Sequence, residues 1–394
     1  MDIEKRKERP PTLVIEYTDP EEGFQGWLVI DALDHNLCAG GMRVQQGLTR
    51  GRLARMARNM TCKMRIAGLR VDGAKCGIDY NPAVPGKRAA MARFMAAITP
   101  YIRSRYSMGP DMNVEMAEIE SIGRDLGLTS VKMAVARAQG WELPYFSKRY
   151  QILNREIDGW SFGKVRVGYG VAVAALTVFD HLGIPYEQAT VAIQGFGNLA
   201  KAAAFGLERK GVRIMALADA EKCIVSENNQ GLDVRKILET SGPLLPEKES
   251  GSGVRVTSRE DIYNFPCDVF IPGAVEKTIT EQVAGQLQVK AVVPGANLAV
   301  TAEAEQLLYQ RDILVMPDFL TGCGGSLFME GLFGPKDHPY PEEVLAHVEQ
   351  RMGQIIKQTL ARSLSEKISP TDAANRICAE CVPQPGTRPY GDPH

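Results

Sequence analysis

The sequence lacks a surplus of charge of either sign. Its 394 residues include 46 Lys and Arg against 47 Asp and Glu, which leaves a net charge of −1 with histidine neutral. General binding to nucleic acid or to anionic membranes needs a basic surplus. We therefore expect neither nucleic acid nor a membrane among the partners of this chain.

Long apolar runs and a dense cysteine framework are also missing. No run approaches the roughly 20 apolar residues that span a bilayer, and no apolar stretch follows the charged segment MDIEKRKERPP, as one would in a signal peptide. Eight cysteines are too few for a disulfide scaffold in a chain of this length. Cys378 and Cys381 form one C-x-x-C pair without the further ligands of a zinc site. These features predict a cytoplasmic protein with reduced thiols and no metal.

Two patterns of secondary structure divide the chain. Amphipathic helices at 52–64 and 86–105 lie among short strand-like segments such as WLVI, which predicts a mixed α/β domain over the first 165 residues. Beyond it, helices alternate with the apolar segments TVAIQ, RIMALA, DVFIP, AVVPG and ILVMP, which predicts βαβ units and a parallel sheet. We predict an α/β fold of two domains with a cleft between them. A substrate and oligomerisation domain comprises 1–165 and 335–394, and a Rossmann-type domain comprises 166–334.

The segment TVAIQGFGNLA contains the most complete motif. A strand at 190–194 runs into a G-x-G-x-x-A turn that opens a helix, the pattern of a dinucleotide-binding site. Gly195 permits a tight turn, Gly197 lets a pyrophosphate approach the backbone, and the helix N-terminus offers its amides to the phosphates. The alternative is a glycine turn used only for packing. We predict that the cofactor-binding residues of this turn are Gly195, Phe196, Gly197, Asn198 and Leu199.

Asp219 lies 24 residues after Gly195, near the end of the next predicted strand. Its carboxylate is placed to accept hydrogen bonds from the adenosine ribose, which favours NAD. Lys222 stands close by and would instead meet the 2′-phosphate of NADP. We predict NAD as the cofactor, with NADP as the alternative.

Two lysines and an aspartate are candidates for chemistry in the first domain. Lys63 projects from the apolar stripe of its helix, so it is either a cation at the edge of the stripe or one held in a cleft for a substrate carboxylate. Lys75 sits in VDGAKCG, where small neighbours leave room for another molecule; it is either a solvated turn lysine or a general base. Asp111 follows Gly109-Pro110 and, taken alone, reads as a turn or helix-cap residue.

Together these residues resemble the glutamate/leucine/phenylalanine/valine dehydrogenases, from about Gly40 to about Gly325. The family's lysine signature runs apolar, two residues, Gly, Gly, small, Lys, one residue, Gly, three residues, Asn, Pro. Here LRVDGAKCGIDYNP matches it at every position except Asp72. The segments GGMR, MTCK, GFGN, GAN and PDFLTGCGG are also similar and occur in the family's order.

The resemblance implies reversible, NAD(P)-dependent oxidative deamination of an L-amino acid to a 2-oxo acid and ammonia. It implies that Lys63 pairs with the substrate α-carboxylate, that Lys75 activates the attacking water, and that Asp111 carries a proton to and from the amino group. Gly41 would line the substrate site. Ala296 and Asn297 of the GAN segment would contact the cofactor. The resemblance also implies closure of the two domains over the substrate and a homo-oligomer, usually a hexamer or octamer.

Four positions outside the lysine signature depart from the family pattern. Glutamate-specific members have a lysine and a serine that hold the γ-carboxylate, and here these positions are Ala39 and Met329. This predicts an apolar or otherwise non-acidic substrate side chain. Gly322 replaces an asparagine near the reacting centre, and Val167 stands where a threonine or its equivalent touches the nicotinamide amide.

Asp72 replaces a glycine of the signature and has three interpretations. Its carboxylate pairs with Lys75 or Lys63, or it points away and pairs with Arg70, or it contacts a polar or basic substrate side chain. The departures also keep a second function open, a catalytically weak or inactive dinucleotide-binding sensor or assembly protein. A third reading is a dehydrogenase of hydroxy acids or imines, which usually relies on a histidine or arginine at the carbonyl.

Overall fold

A computed structural model describes residues 10–166, 168–239, 242–246, 253–334, 336–384 and 386–391. The chain divides into two compact units. One comprises Met1–Gln151, Phe333–His338 and Cys381–His394, and the other comprises Ile152–Leu332 and Pro339–Glu380. This division places 152–165 and most of the C-terminal helices with the second unit, whereas the predicted domains place them with the first. The predicted domain boundaries therefore stay a prediction.

The first unit is built on a five-stranded mixed sheet. Its strands are β1 (Leu13–Thr18), β2 (Gln25–Ile30), β3 (Cys38–Val44), β4 (Asp72–Ile78) and β5 (Tyr106–Pro110). Its helices are α1 (Arg50–Ile66), α2 (Lys87–Ser104), α3 (Met116–Asp125), α4 (Ala134–Gln139) and α5 (Leu143–Tyr150). The spatial order is β1-β2-β4-β3-β5, with β2 antiparallel to β1 and β4, and β3 parallel to β4 and β5.

The two faces of this sheet have different coverings. Met42, Cys76 and Met108 project from one face into a fully buried core with Phe94 and Ile98 of α2. Helix α1 packs on the other face against β4. Because side chains alternate along each strand, the residues between those core positions project towards the side of α1.

The turn interpretation of Lys75 is wrong, because this residue lies in the middle of β4, between β2 and β3. The turn interpretation of Asp111 is confirmed, because its carbonyl oxygen accepts the Val114 N–H at 3.1 Å directly after strand β5. Glycine-rich composition argued against a strand in DGAKCGI. The close packing of α1 and the pairing on both edges of β4 override that propensity.

From residue 152 onward the chain forms the second α/β array. The strands are β6 (Glu156–Ile157), β7 (Trp160–Ser161), β8 (Thr190–Gln194), β9 (Arg213–Ala218), β10 (Lys222–Ser226), β11 (Val254–Ser258), β12 (Val269–Pro272), β13 (Ala291–Val292) and β14 (Leu314–Val315). The helices are α6 (Phe162–Val165), α7 (Tyr169–Leu182), α8 (Asn198–Glu208), α9 (Val234–Leu238), α10 (Glu281–Gln286), α11 (Ala302–Gln310), α12 (Asp318–Thr321), α13 (Gly324–Phe333), α14 (Pro341–Glu366) and α15 (Pro370–Glu380).

The seven-stranded sheet of this unit has the order β11-β10-β9-β8-β12-β13-β14. Five neighbouring strands of this sheet, β9-β8-β12-β13-β14, are parallel. The predicted two-domain, Rossmann-type α/β fold is therefore confirmed. Strands β10 and β11 run antiparallel and were not predicted. Only three residues join β9 to β10, and so short a connection permits only antiparallel pairing. In the described ranges, no helix is long and apolar enough to cross a membrane.

Candidate active site

One face of the first unit's sheet brings the predicted catalytic residues together. Paired residues of parallel strands share a face, so the register sets Arg43 of β3 two positions along from Lys75 of β4. The register also pairs Gly41 with Gly109, and Asp111 follows two residues after Gly109 on the same side. The charged side chains of three neighbouring strands therefore converge.

A buried carboxylate joins two cations on this face. The ammonium Nζ of Lys75 lies 3.0 Å from Oδ2 of Asp111, and Nε of Arg43 donates to the same oxygen at 2.7 Å. The side chains of Lys75 and Arg43 are 7% and 5% exposed, and that of Asp111 is 16% exposed. Nη1 of Arg43 also donates to Oε1 of Gln45 at 3.1 Å. The predicted pair Lys75 and Asp111 is thus in direct contact.

The environment of Asp111 decides its charge. Burial by itself would raise the pKa of this carboxyl, but the Lys75 ammonium and the Arg43 guanidinium outweigh burial and hold its pKa well below the usual range. Asp111 is therefore an anion throughout the neutral range. Such a group stabilises positive charge on a neighbouring molecule more readily than it stores a proton.

Lys63 lies in the last turn of α1 and is buried. The helix comes close to β4 because residue 73 is glycine. A Cβ there would stand 2.2 Å from the Ala57 carbonyl oxygen, and the Gly73 N–H donates to Oγ1 of Thr61 at 3.2 Å. The expectation that the small residue before Lys75 leaves room for another molecule is wrong at Gly73, because α1 fills that space.

The predicted substrate-binding residues lie in both units. A Cβ on Gly41 would stand 2.8 Å from the Pro110 carbonyl oxygen, so only glycine fits beside the segment that ends in Asp111. Ala39 is half-buried on the same strand. Met329 belongs to the second unit, where it is buried in α13. The roles of all three stay predictions.

Two charged residues of this region were missed by the sequence reasoning. Arg43 appears only as the end of the GGMR segment, and a lone arginine carries no signal for its partner. Lys132 is 5% exposed, and its Nζ donates to the Met108 carbonyl oxygen at 2.9 Å. That Nζ lies 3.8 Å from the position of a Cβ on Gly109. The one available signal for Lys132 was its position among apolar residues in TSVKMAV.

Asp72 pairs with none of the protein side chains considered from the sequence, and its contact with a substrate side chain stays a prediction. Its Oδ2 accepts the His35 main-chain N–H at 2.7 Å, and its Oδ1 lies 2.9 Å from Nδ1 of the His35 ring. Arg70 instead donates from Nε to Oε1 of Gln384 at 3.1 Å. The readings that placed Asp72 on a lysine or on Arg70 are wrong, because the loop before β3 brings His35 to the start of β4.

The predicted dinucleotide turn lies between β8 and α8. Gly195 has a φ of 110°, and a Cβ there would stand 3.0 Å from the Gly273 backbone, so only glycine fits. Gly197 is the N-cap of α8; a Cβ there would meet nothing within 4 Å, and no side chain caps the helix. Free first-turn amides beneath open space suit the pyrophosphate of a nicotinamide dinucleotide, and the residues present fit that group.

The other predicted cofactor residues occupy different environments. Phe196 is buried, with the Lys201 ammonium 4.3 Å from its ring centroid, whereas Asn198 is exposed and Leu199 is half-buried. Ala296 and Asn297 follow β13 at the carboxyl edge of the sheet, where the Ala296 N–H donates to the Pro272 carbonyl oxygen at 3.0 Å. The structure thus places Ala296 beside the end of β12.

Asp219 directly follows β9, but its carboxylate holds the local backbone. Oδ1 accepts the N–H groups of Glu221 and Lys222 at 2.7 and 2.8 Å, and Oδ2 accepts that of Leu245 at 2.6 Å. Nζ of Lys222 donates to the Pro246 carbonyl oxygen at 2.8 Å. Both side chains therefore stabilise this loop, and their predicted contacts with the cofactor stay predictions.

Within the part of the chain that the structure describes, no group of three or more His, Cys, Asp and Glu side chains could hold a metal ion. None of the eight cysteines, including Cys378 and Cys381, forms a disulfide. Val167 lies outside the described residues. Gly322 is the C-cap of α12.

Comparison with known families gives two matches that together cover most of the chain. A model described as "Glutamate/Leucine/Phenylalanine/Valine dehydrogenase" matches residues 163–385, more than half of the sequence. A second, described as "Glu/Leu/Phe/Val dehydrogenase, dimerisation domain", matches residues 11–126.

Individual relatives agree with these matches. The chain is 27% identical over 381 residues to a glutamate dehydrogenase of Aeropyrum pernix, covering 91% of this chain and 85% of the relative. It is 27% identical over 305 residues to an NAD-specific glutamate dehydrogenase of Clostridioides difficile, covering 73% and 66%. The fold is similar to that of the hetero-hexameric glutamate dehydrogenase of Thermus thermophilus, with a TM-score of 0.73, 24% identity, and coverage of 94% and 88%.

Proposed function

This chain belongs to the glutamate/leucine/phenylalanine/valine dehydrogenase family, and we propose that it catalyses the reversible oxidative deamination of an L-amino acid to the 2-oxo acid and ammonia. It is an NAD(P)-dependent amino acid dehydrogenase that acts on the CH–NH₂ group. The observation that carries the proposal is the buried contact of Lys75 with Asp111 on the face covered by α1. The residues to which the family resemblance assigns water activation and proton transfer are thus in direct contact.

The proposed roles follow from charge and position. Lys63, a buried cation, pairs with the α-carboxylate of the substrate. Lys75 orients and activates the water that attacks Cα after oxidation. Asp111 holds the amino group of the substrate through its anionic carboxylate and carries a proton to and from that group. When bound, the nicotinamide cofactor takes up the electron pair and hydrogen removed from Cα.

The cofactor is NAD, with NADP as the alternative; curated relatives include both NAD-specific and NADP-specific enzymes. Gly195, Gly197, Asn198 and Leu199 hold the pyrophosphate through the amides of the first turn of α8. Asp219 shapes the loop beside the adenosine ribose. We also propose a homo-oligomer, in keeping with the dimerisation model matched by the first unit.

The side chain of the substrate has two candidates. Ala39 and Met329 offer no charge or hydroxyl, which favours a non-acidic amino acid. Glutamate is the second candidate, because the Lys132 ammonium lies beside Gly109, on the sheet face that also carries Gly41 and Ala39. At that position, Lys132 would supply a cation for the acidic side chain of the substrate, although Ala39 replaces the lysine of glutamate-specific members.

The test is a panel of L-amino acids with NAD⁺ or NADP⁺, followed by absorbance of the reduced cofactor, and the reverse reaction with 2-oxo acids and ammonia. We expect turnover of at least one non-acidic amino acid, and loss of turnover in Lys75→Ala. Cofactor binding without turnover of any substrate in either direction would instead favour the non-catalytic sensor or assembly protein.

A further inference from the structure

The side chain of Arg43 is buried and has two hydrogen-bond acceptors. Its Nε donates to Oδ2 of Asp111 at 2.7 Å and its Nη1 to Oε1 of Gln45 at 3.1 Å. A buried guanidinium is costly unless its donors are satisfied. The planar fork of arginine holds both acceptors in fixed directions, which the flexible stem of a lysine does not do.

The two oxygens of Asp111 are not equivalent. Oδ2 receives both Arg43 and Lys75, whereas no hydrogen bond from the described residues reaches Oδ1. The backbone is fixed on both sides, since the Asp111 N–H donates to the Met42 carbonyl oxygen at 2.9 Å and its carbonyl oxygen accepts the Val114 N–H at 3.1 Å. The carboxylate therefore presents one defined oxygen to a neighbouring molecule.

We propose that Arg43 is a positioning residue for the proposed reaction: it anchors Oδ2 of Asp111 between two cations and turns Oδ1 towards the amino group of the substrate. Lys75 alone would not fix the orientation of the carboxylate, because an ammonium has three equivalent donors on a flexible stem and can pair with either oxygen. With Arg43 in place, the carboxylate has one rotamer, and Lys75 stays aimed at the atom where water adds.

Arg43 also sets the charge of the site. A second cation on Oδ2 favours the ionised carboxylate, and removing it leaves Asp111 with Lys75 against the effect of burial. Loss of Arg43 therefore raises the pKa of the Asp111 carboxyl. This inference rests on the proposed function, because it assigns Asp111 to the substrate amino group.

The other ionisable groups near Asp111 do not replace Arg43. Cys76 and Tyr106 project from the opposite face of the sheet, and burial raises the pKa of each thiol or hydroxyl, so both stay neutral. Lys63 belongs to α1, which packs on β4, and Lys132 lies beside Gly109. Neither lysine occupies the position of the Arg43 fork, and both stay unchanged in the test.

The test compares Arg43→Met, Arg43→Lys and Gln45→Leu in the full-length protein. Arg88→Met is the matched control, because Arg88 forms an exposed pair with Asp125 on the same unit. We expect Arg43→Met to lower kcat about 10²-fold, a typical contribution of one proton-transfer group, with KM changed about threefold or less. The pH at which the Asp111 carboxyl takes up a proton, read by the infrared measurement described below, should rise by about one unit or more, the usual effect of losing one nearby cation.

The conservative variants separate geometry from charge. Arg43→Lys restores the cation without the fork, so Asp111 should take up its proton at the wild-type pH while kcat stays about tenfold low. Gln45→Leu removes one of the two acceptors of Arg43 and leaves Asp111 unchanged. This variant keeps the proposal testable if Arg43→Met does not fold. We expect a smaller upward shift of the Asp111 protonation in Gln45→Leu. An unshifted Asp111 protonation in the folded variants overturns the proposal, as does a change confined to KM or to thermal stability.

A readout without turnover distinguishes this inference from the proposed function. Infrared difference spectra between each protein and its Asp111→Asn counterpart report the protonated carboxyl directly. In Arg43→Met, the carboxyl signal of Asp111 should appear at higher pH than in the wild type. If the wild type turns over no amino acid but the signal shifts, the proposed function fails while the anchoring by Arg43 stands; without the shift, the anchoring fails.

Discussion

The ring Nδ1 of His35 lies 2.9 Å from Oδ1 of Asp72, and the His35 main-chain N–H donates to Oδ2 of the same carboxylate at 2.7 Å. The Gln384 N–H lies 3.4 Å from Nε2 of His35, so the neutral tautomer carries its hydrogen on Nδ1. Asp72 therefore joins the loop before β3 to the first residue of β4. Its carboxylate satisfies two buried donors and contacts neither lysine of the candidate site.

Asp72→Ala should lower the free energy of unfolding by roughly 1–3 kcal/mol, because two buried donors of His35 lose their acceptor. The pH–rate profile should keep its wild-type shape. Urea unfolding and steady-state kinetics measure the two effects. His35→Ala and the double variant complete a cycle whose coupling should be favourable; a shifted pH profile with unchanged stability would show that Asp72 acts on the site instead.

Gly73→Ala should destabilise the first unit by about 1–3 kcal/mol, the cost of overpacking a close contact. The added Cβ would stand 2.2 Å from the Ala57 carbonyl oxygen and from the Thr61 nitrogen, and backbone atoms cannot rotate away. Gly51→Ala in the first turn of α1 is the matched control, since its Cβ would meet nothing within 4 Å. Thermal unfolding should show a lower midpoint only for Gly73→Ala, and equal midpoints would disprove the packing argument.

Gly197→Ala should leave the fold intact and weaken cofactor binding about tenfold or more, because a methyl group would stand over the amides that receive the pyrophosphate. Titration of NADH fluorescence measures the dissociation constant. The control is Gly285→Ala in α10, where the Cβ also meets open space. Equal dissociation constants for both variants would mean that the cofactor does not approach Gly197.

Lys132→Met should lower the ratio of kcat/KM for glutamate to that for an apolar amino acid by tenfold to about a hundredfold, the worth of one charged hydrogen bond. The exposed Lys148 of α5 provides the control, as Lys148→Met, because it removes the same charge from the surface. A ratio equal to that of the wild type would show that Lys132 does not favour glutamate as a substrate.

Asp111→Asn should change the dependence of stability on pH in a defined direction. An acid whose folded-state pKa lies below its unfolded value of 3.8 binds fewer protons when folded, so it stabilises the fold above that value. The advantage of the wild type over Asp111→Asn should be constant from neutral pH down to about pH 4. It should then shrink as the pH falls further. Urea unfolding across this range measures it, and an advantage that grows on acidification would contradict the assigned pairing.

Local sequence was sufficient for the features that depend on neighbours along the chain. The G-x-G-x-x-A turn was placed correctly between β8 and α8, because glycines at fixed spacing dictate backbone conformation whatever surrounds them. Helix α1 also followed from periodicity, since one apolar stripe must face a core. The lysine signature identified the family through the order of its residues, without any knowledge of their surroundings.

Only the tertiary structure decided which side chains meet. Asp72 and His35 are 37 residues apart, and Arg43 and Asp111 are 68 apart, so no periodicity connects them. Strand β4 looked like a turn because of its glycines, and Gly73 is needed there for the close approach of α1. The sequence by itself therefore determined the turn, the main elements and the family. The pairing of strands in space determined the partners of each charge, because a buried ion is stabilised by whatever the fold brings within a few ångströms of it.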